Sequence, residues 1–521
     1  MIKKIIKEIK SIQNIKKLMQ SISYEKIIEN KKVVFFTIRP FSLVLHQELF
    51  LAYQLAELGV KVDVILDDDY YEHWDYIQEH DNTSVLTLSN ANLKDKFIKK
   101  SFASLILNAY KHVNINIIYL STLLKDKELE QIEHLTALEK QQAESSVRRF
   151  FETGSMDLSI KSQKNYYDKS LKNCIVSKTA AREILLQLNP DLFLTSHGIY
   201  SVWGPAFSYF KKENIPALVY GAHAYKSQEI IISDVIAQTL SLDSEWKKFE
   251  HAPSLSSNEE DQVVSYFENR INFKASDTKV YYGDIQKFEE VNIKKDNTTK
   301  TFALFPNIIW DGDVYERDTI FNGIIDWVVK TVNIFKNSPH NLVIRFHPAE
   351  VTLWNDSKSL EKIIREIIVD IDEYSNIYLI SADKKLNTYD FILNNVDVGL
   401  IYDGVLAMEM PYMKIPVVSC AMSRYTGAGF VYEPDSLENY KSILKDPMGI
   451  SVDFEQNYST KKEQLLKYAY WYFYKSGYHL PIFDKNKILT VNYDAITNEN
   501  IDINKNPLLK RTIDKVIGHI K

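Results

Sequence analysis

The fold is decided by residues 341–350, which read NLVIRFHPAE. The apolar-rich run at its start has the length of a buried strand, and Pro348 ends that strand because proline cannot continue the hydrogen-bonded ladder. Three polar side chains, those of Arg345, His347 and Glu350, come at the end of the run. Ligands of open α/β sheets bind beyond the carboxyl ends of the strands, so the stretch predicts a sheet edge that carries chemistry.

The sequence around this strand alternates between strand and helix patterns. Strand-like runs read TFALFPN, NIYLIS, VDVGLIYD and IPVVSC, and helical patterns such as FNGIIDWVVKTVNIF and NTYDFILNN lie between them. This alternation is typical of a doubly wound sheet with helices on both faces. We therefore predict a Rossmann-like domain over residues 286–470.

A second alternation occupies the first half of the chain. Strand, helix and strand are predicted by KKVVFFTIRP, LFLAYQLAELG and VKVDVILDDD, and the pattern resumes with DLFLTSHG and IPALVYGAHAY. We predict a Rossmann-like domain over 31–285 with a helical insertion at about 91–188, which shows no convincing strand. A helical tail over 471–521 is expected to cross back to this domain. The predicted class is α/β, with two doubly wound domains facing a cleft.

Residues 1–30 predict a basic amphipathic helix. Isoleucines recur at spacings of three and four, and residues 1–32 contain nine lysines and three glutamates. Such a helix can lie on an anionic membrane surface, or it can pack on the body of the protein with its lysines in solvent. The pattern leaves both alternatives open.

Composition excludes several classes of function. The formal net charge of −6 argues against a nucleic-acid binder, which needs a surplus of cations. Two cysteines, Cys174 and Cys420, are too few for a disulfide framework and are expected to be free thiols. The sequence contains neither GxGxxG nor GxxxxGK[ST], and no run of about 18 apolar residues predicts a spanning helix. We expect a cytoplasmic protein, peripheral on the inner face of the cell membrane if residues 1–30 bind there.

Residues 300–435 resemble the C-terminal half of bacterial capsular-polysaccharide biosynthesis glycosyltransferases of the HP-motif type. The resemblance is carried by LFPNIIWDGDVYERDTIFNGIIDWVV, LVIRFHPAE, LNTYDFILNNVDVGLIYDG, AMEMPYMKIPVVSC and SRYTGAGF. The first half resembles the family only in loop placement, chiefly in TSHGIYSVWGP. These enzymes have the GT-B architecture, in which the C-terminal domain holds a nucleotide-sugar donor and the N-terminal domain holds the acceptor.

The resemblance implies a metal-independent hexosyl or ulosonic-acid transferase that needs no cofactor. The donor would be a CMP-activated acidic sugar or a UDP-sugar, and the acceptor a hydroxyl of a surface polysaccharide or a lipid-linked glycan. The HP pair corresponds to His347 and Pro348, and Glu409 is implied to accept hydrogen bonds from ribose hydroxyls. Arg345 or His347 can donate to phosphate oxygens. The candidate donor-binding residues are Asn307, Arg345, His347, Pro348, Glu350, Tyr402, Gly404, Glu409 and Arg424.

Asp403 departs from the family pattern, because many relatives carry hydroxyl residues after the strand-end tyrosine. A carboxylate opposes the binding of a phosphate. Either Asp403 points away and the amides of Gly404 and of the following helix start serve the phosphate, or donor binding has changed.

A general base for inverting transfer is expected in the first domain. His197 follows a strand and precedes Gly198, and a neutral imidazole with a free pKa of about 6.5 can take a proton from the acceptor hydroxyl. The rival bases are His46, Glu48 and His223, and the acceptor-side candidates are Tyr200 and His223.

No metal site is predicted. Asp311 and Asp313 alternate in WDGD, but a loop or helix-cap role suits them better than magnesium binding, which favours carboxylates that converge with substrate phosphates.

Three other functions are open. A nucleotide-sugar epimerase and a polyol-phosphate transferase fit the same architecture, and so does a non-catalytic capsule assembly factor that has lost its donor site. Asp403 is the best support for the last. The argument against it is that four candidate residues are retained, namely Arg345, His347, Glu350 and Glu409.

Overall fold

The computed structural model describes residues 2–38, 42–73, 103–223, 226–272, 288–295, 298–310, 320–352, 359–485, 490–493 and 496–520. The chain forms two compact units. The first unit comprises Met1–Phe150, Leu158–Ala237 and Lys475–Lys521, and the second comprises Phe151–Asp157 and Gln238–Tyr474.

Each unit contains one β-sheet. The strands are β1 (Lys32–Ile38), β2 (Lys61–Leu66), β3 (Ile115–Tyr119), β4 (Leu192–Ser196), β5 (Ala217–Ala222), β6 (Glu229–Ser233), β7 (Thr301–Phe305), β8 (Asn341–Arg345), β9 (Ile377–Ile380), β10 (Val398–Ile401), β11 (Val417–Ser419) and β12 (Gly477–His479). The first sheet has the order β12-β6-β5-β4-β1-β2-β3 and the second β11-β10-β7-β8-β9. Strands β6 and β12 are antiparallel to their neighbours, and all the other pairs are parallel.

Helices cover both faces of the sheets. They are α1 (Ile2–Met19), α2 (Ser42–Glu57), α3 (Leu120–Leu123), α4 (Ala137–Phe151), α5 (Lys161–Leu188), α6 (Tyr200–Lys212), α7 (Ser244–Glu250), α8 (Ser257–Ile271), α9 (Gly323–Phe335), α10 (Ala349–Thr352), α11 (Leu360–Ile367), α12 (Thr388–Asn395), α13 (Leu406–Tyr412), α14 (Leu437–Lys445), α15 (Pro447–Gln456), α16 (Tyr458–Tyr470) and α17 (Pro507–Ile517). Short 3-10 turns lie at Ile132–His134, Ala237–Leu242 and Ile371–Glu373, and a π turn at Trp471–Lys475.

The two sheets share one strand order. In each, the first strand is central, the next two lie on one side and the fourth and fifth on the other, giving β3-β2-β1-β4-β5 and β9-β8-β7-β10-β11. The direction of winding reverses between β1 and β4 and between β7 and β10, which makes these the switch points where open sheets bind ligands. The predicted class, α/β with two doubly wound Rossmann-like units, is confirmed.

Burial on both faces of the sheets explains why apolar residues are consecutive in the strands. Val33, Val34, Phe35 and Phe36 are consecutive in β1 and all fully buried, because a parallel sheet covered on both faces needs apolar side chains in both directions. Both cysteines are buried and free, as the composition predicts.

The prediction that residues 91–188 contain no strand is wrong. Ile115–Tyr119 forms β3, which pairs in parallel with β2 at the edge of the first sheet. Its side chains are half-buried or exposed, so the segment lacks the apolar contrast that revealed the central strands. Elsewhere in this segment α4 and α5 are helical as expected, and residues 74–102 lie outside the described residues.

The boundary between the units lies at 237/238 and not at the predicted 285/286. Residues 238–250 contact the second unit. The Ser241 amide donates to the carbonyl of Arg424 at 2.9 Å, and Trp246 packs edge-on against Tyr468 with ring centroids 4.8 Å apart. From Lys475 onward the predicted tail belongs to the first unit, where β12 pairs with β6 and α17 enters the core.

Helix α1 packs on the first unit. Its apolar residues Ile12, Ile15 and Met19, with Ile22 just beyond it, are buried in the same core as α2 and α17. Of the two alternatives for this helix, packing on the body of the protein is therefore the one observed, and these side chains are not available for insertion into a membrane. Within the described ranges, the structure contains no helix with the length and apolarity that a bilayer span requires.

Candidate functional site

The carboxyl edge of the second sheet gathers most of the predicted donor-binding residues. Asn307, His347 and Asp403 each stand two residues beyond the end of a strand, namely β7, β8 and β10. These three strands are adjacent and parallel, so the three residues follow neighbouring carboxyl ends. The switch point lies between β7 and β10, which places Asn307 and Asp403 at it.

Asp403 is held by Arg424. The guanidinium donates through Nε to Oδ1 at 3.0 Å and through a terminal nitrogen to Oδ2 at 3.1 Å, a bidentate pairing of two planar groups. The carboxylate is almost completely buried, whereas about a quarter of the Arg424 side chain remains exposed. The amide of Asp403 donates to Oδ1 of Asn307 at 3.1 Å. Asp403 therefore points into a polar network at the switch point and not away from it.

In this network Asp403 engages two of the predicted donor-binding residues, Gly404 and Arg424. The Gly404 amide donates to Oδ1 of its neighbour Asp403 at 2.8 Å, so it does not serve a phosphate in this structure. Arg424 likewise neutralises Asp403 and also donates to the hydroxyl of Tyr472 at 2.8 Å. Gly404 has a φ of +131°, a conformation that an L side chain rarely adopts, which explains glycine at this position.

His347 has a defined tautomer. The amide of Ala349 donates to its Nδ1 at 3.1 Å, so Nδ1 carries no proton and the neutral ring holds its proton on Nε2. The side chain is half-buried at the end of β8. A histidine held in this way presents an N–H donor, the group that a phosphate oxygen requires.

Glu350 is buried on the first turn of α10. Its Oε2 accepts from the Leu360 amide at 3.3 Å, and its Oε1 has no hydrogen-bond partner among the residues that the structure describes. Burial raises the pKa of this carboxyl from 4.5 to about 7. Glu350 can therefore hold a proton near neutral pH, and it anchors the start of α11.

Arg345 is occupied by main-chain carbonyls. Its two terminal nitrogens donate to the carbonyl of Ser381 and, at 2.9 Å, to that of Lys384, and its side chain is buried. The expectation that Arg345 donates to a phosphate is corrected: it fixes the loop that follows β9.

Glu409 is engaged by Arg270. The Nε of Arg270, the penultimate residue of α8, donates to Oε1 of Glu409, and Glu409 is almost completely buried on α13. Burial raises the pKa of the neighbouring Tyr389, and the Glu409 carboxylate raises it further. The implied ribose contact stays a prediction, and Oε1 of Glu409 already has a charged partner on a second helix.

Two further predicted residues support the edge. Tyr402 is buried against Trp327 with ring centroids 5.4 Å apart, so it packs α9 onto the sheet. Pro348 follows His347, and the Val351 amide donates to its carbonyl at 3.2 Å in the turn that starts α10.

The switch point of the first sheet carries His197. Its side chain is exposed directly after β4, and its amide donates to the Tyr220 carbonyl at 3.1 Å. His197 and Tyr200 both have left-handed φ values, +52° and +65°, a conformation that costs a non-glycine residue about 1–2 kcal/mol. Between them Gly198 has a φ of +70° and lies so close to Val219 that a Cβ would approach its side chain to 2.7 Å. Strained loops of this kind cluster at functional sites.

The rival bases are buried. His46 lies 3.0 Å from the hydroxyl of Tyr110 and 3.2 Å from that of Tyr493, and burial lowers its pKa to about 3. Glu48 is completely buried on the same helix, α2. His46 is therefore corrected to a core histidine, and Glu48 is likewise not exposed to an acceptor.

The acceptor-side candidates are also buried, whereas His197 is exposed. His223 is buried after β5, where its amide donates to the Glu229 carbonyl at 3.2 Å, and Tyr200 is buried at the start of α6. Of the predicted first-domain residues, His197 alone is exposed at its strand end among those that the structure describes.

Metal ligation finds no support in the described ranges, where histidine, cysteine, aspartate and glutamate form no group of three or more that could hold an ion. Asp311 and Asp313 lie outside those ranges.

Sequence reasoning missed Arg270 and Tyr472. Arg270 is separated from Glu409 by 139 positions, and Tyr472 from Arg424 by 48, so no spacing rule links the partners.

Comparison with known proteins gives weak likenesses. No protein-family model matches the sequence, and no curated protein matches it. Among solved structures, the UDP-GlcNAc 2-epimerase of Neisseria meningitidis bound to UDP-GlcNAc is 12% identical, with 86% of this chain and 99% of that chain covered and a TM-score of 0.26. The KpsC beta Kdo 2,4 transferase of Thermosulfurimonas dismutans is 12% identical, with 48% and 74% covered and a TM-score of 0.31.

A glycosyltransferase of Rickettsia africae is 10% identical, with 94% of this chain and 99% of that chain covered and a TM-score of 0.28. At these identities and scores, the activities of the three proteins do not pass to this chain. The two doubly wound units follow from its own strand order.

Proposed function

We propose that the protein is a glycosyltransferase that moves a sugar from a nucleotide-activated donor to a hydroxyl of a surface polysaccharide or glycolipid. One observation carries this proposal: both sheets have the nucleotide-binding strand order, and each has polar residues at its switch point. In the first unit the residue is the exposed His197, and in the second it is the network of Asn307, Asp403 and Arg424.

The proposed donor site is in the second unit. The Nε2–H of His347 would donate to a donor phosphate, and Asn307 marks the adjacent strand end. The donor classes proposed are CMP-activated acidic sugars and UDP-sugars. We propose that the reaction needs no metal ion and no cofactor, and that it takes place in the cytoplasm or on the inner face of the cell membrane.

In the proposed reaction, one proton is transferred and one leaving group departs. The acceptor oxygen forms a bond to the anomeric carbon while the bond from that carbon to the phosphate oxygen breaks. The acceptor's hydroxyl proton passes to the imidazole of His197, and the negative charge that the phosphate keeps is stabilised by the donor on His347.

The test is a ligand screen followed by kinetics. Thermal unfolding is measured with CMP, UDP, GDP and their sugars, and a ligand at 100 times its dissociation constant should stabilise the protein by about 2.7 kcal/mol. His197→Ala should then lose about 10²- to 10⁴-fold in turnover with unchanged nucleotide affinity. A protein that no nucleotide or nucleotide sugar stabilises would contradict the proposal.

A second candidate is a non-catalytic assembly factor with the same fold. The pairing of Asp403 with Arg424 favours it, because a carboxylate fills the switch point where a phosphate would lie. A wild-type protein that transfers no sugar and that no nucleotide or nucleotide sugar stabilises would support this second candidate.

A further inference from the structure

Asp403 and Arg424 form an anion site that the chain fills itself. The carboxylate accepts two hydrogen bonds from the Arg424 guanidinium and one from the Gly404 amide. A planar guanidinium fork and a main-chain amide are also the groups that bind a phosphate. The set lies beyond the carboxyl ends of β10 and β11 at the edge where ligands of such sheets bind.

Arg424 is positioned without help from Asp403. Its carbonyl accepts hydrogen bonds from the Ser241 amide and from the hydroxyl of Tyr468, and its guanidinium donates to Tyr472 at 2.8 Å. Part of the side chain is exposed while the carboxylate is buried. The cation would therefore stay in place, and open to solvent on one side, if the carboxylate lost its charge.

We propose, on the basis of the proposed function, that Asp403 is an internal counter-ion that occupies the place of a phosphate in front of Arg424. Its carboxylate competes with an incoming phosphate or diphosphate for the guanidinium and for the Gly404 amide. The residue thereby sets how tightly the second unit binds an anion, and a donor must displace the carboxylate to reach Arg424.

The same strand supplies a matched control. Asp397 stands one residue before β10, at the opposite end of that strand, and pairs with Lys295 at 3.3 Å and Lys300 at 3.2 Å. Asp397→Asn changes the net charge as Asp403→Asn does, and it also removes an aspartate from an ion pair. Asp397→Asn leaves the carboxyl edge of the second sheet unaltered.

The experiment measures binding of inorganic pyrophosphate to the full chain by calorimetry at fixed ionic strength. Asp403→Asn should bind pyrophosphate at least about tenfold more tightly than the wild type, because a like charge beside a bound anion opposes binding. Asp397→Asn should match the wild type, and the double variant Asp403→Asn with Arg424→Gln should lose the gain. Asp403→Ser is the second variant if Asp403→Asn does not fold.

An Asp403→Asn protein, or its serine counterpart, that binds no more tightly than the wild type would overturn the inference. So would an equal gain in Asp397→Asn, since the effect would then be one of net charge. A different result would contradict the proposed function, namely that no nucleotide or nucleotide sugar stabilises either the wild type or Asp403→Asn. A gain in pyrophosphate binding without nucleotide binding would support the self-filled anion site and contradict the transferase.

Discussion

His347 is the residue whose chemistry the structure defines most closely. Because the Ala349 amide fixes Nδ1 as an acceptor, the donor must be Nε2. Glutamine can place an N–H near the position of Nε2, whereas asparagine reaches only the position of Nδ1. We expect His347→Asn to weaken nucleotide binding by about 1.5–3 kcal/mol, since a hydrogen bond to a charged phosphate is lost. His347→Gln should keep most of the affinity.

Calorimetry with the nucleotide found in the ligand screen measures both variants. Equal losses in His347→Asn and His347→Gln would point to packing of the ring, and no loss in either would remove His347 from the site.

Glu350 should make stability depend on pH. Its pKa is raised by burial from 4.5 in the unfolded chain to about 7, so the folded state binds the extra proton between these values. The contribution of Glu350 to stability is therefore full below pH 4.5, falls as the pH rises from 4.5 through 7, and levels off above 7. We expect Glu350→Gln to remove a fall of about 1–3 kcal/mol.

Urea unfolding at pH 5 and pH 8 measures the effect, and Glu438→Gln on the exposed face of α14 is the control. A wild type and a Glu350→Gln variant that change in parallel between the two pH values would contradict the assignment.

At the scale of residues, the sequence predicted which polar side chains lie at a strand end, but not which groups they bond to. The pattern NLVIRFHPAE identified His347 and Glu350 at a strand end, because strand length and proline are local signals. It could not show that Arg345 would be taken by the carbonyls of Ser381 and Lys384, since that depends on a loop 36 to 39 positions away.

At the scale of elements, α1 contributes to the core of the first unit. Ile15 is buried among residues of α1 and α2, whereas Lys17 on the same helix is exposed. We expect Ile15→Ala to lower the free energy of unfolding by about 2–5 kcal/mol through the cavity that it leaves. Lys17→Ala should change it by no more than about 0.5 kcal/mol. Urea unfolding tests both, and equal effects would show that α1 does not pack as described.

Binding of α1 to anionic membranes remains a prediction, although Ile12, Ile15 and Met19 are already buried in the first unit. Flotation with phosphatidylglycerol liposomes should fall as salt is added, because exposed lysines each contribute up to about 1 kcal/mol near such a surface. The double variant Lys10→Glu and Lys17→Glu should reduce flotation. Flotation that persists in high salt and in this variant would mean that apolar side chains insert after all.

Edge strands and unit boundaries were the elements that sequence reasoning placed least well. The central strands β1, β4, β7 and β8 each contain three or more consecutive buried apolar residues because both faces of the sheets are covered, and such runs are visible in the sequence. β3 is half-exposed, so its pattern does not contrast with the neighbouring helices. Residues 238–271 are largely helical, and contacts that are distant in sequence, such as those of Trp246 with Tyr468 and of Arg270 with Glu409, go with their place in the second unit.

At the scale of the whole molecule, the alternation of strands and helices was enough to predict two doubly wound sheets. Neither the order of the strands nor the switch points could be derived from it, because the same alternation is compatible with several windings. The observed order is what brings Asn307 next to Asp403, residues that are 96 positions apart.

The strand order of the second sheet predicts where a nucleotide binds. Hydrogen exchange of the full chain, with and without the nucleotide that stabilises it, should show added protection after β7, β8 and β10, in peptides covering 303–310, 345–350 and 402–409. Peptides covering 192–200 in the first unit should change little, because His197 is proposed to contact the acceptor and not the donor. The His347→Asn variant at the same nucleotide concentration should show less protection, in proportion to its lost affinity. Protection confined to 192–200 would place the nucleotide in the first unit and reverse the proposed roles of the two sheets.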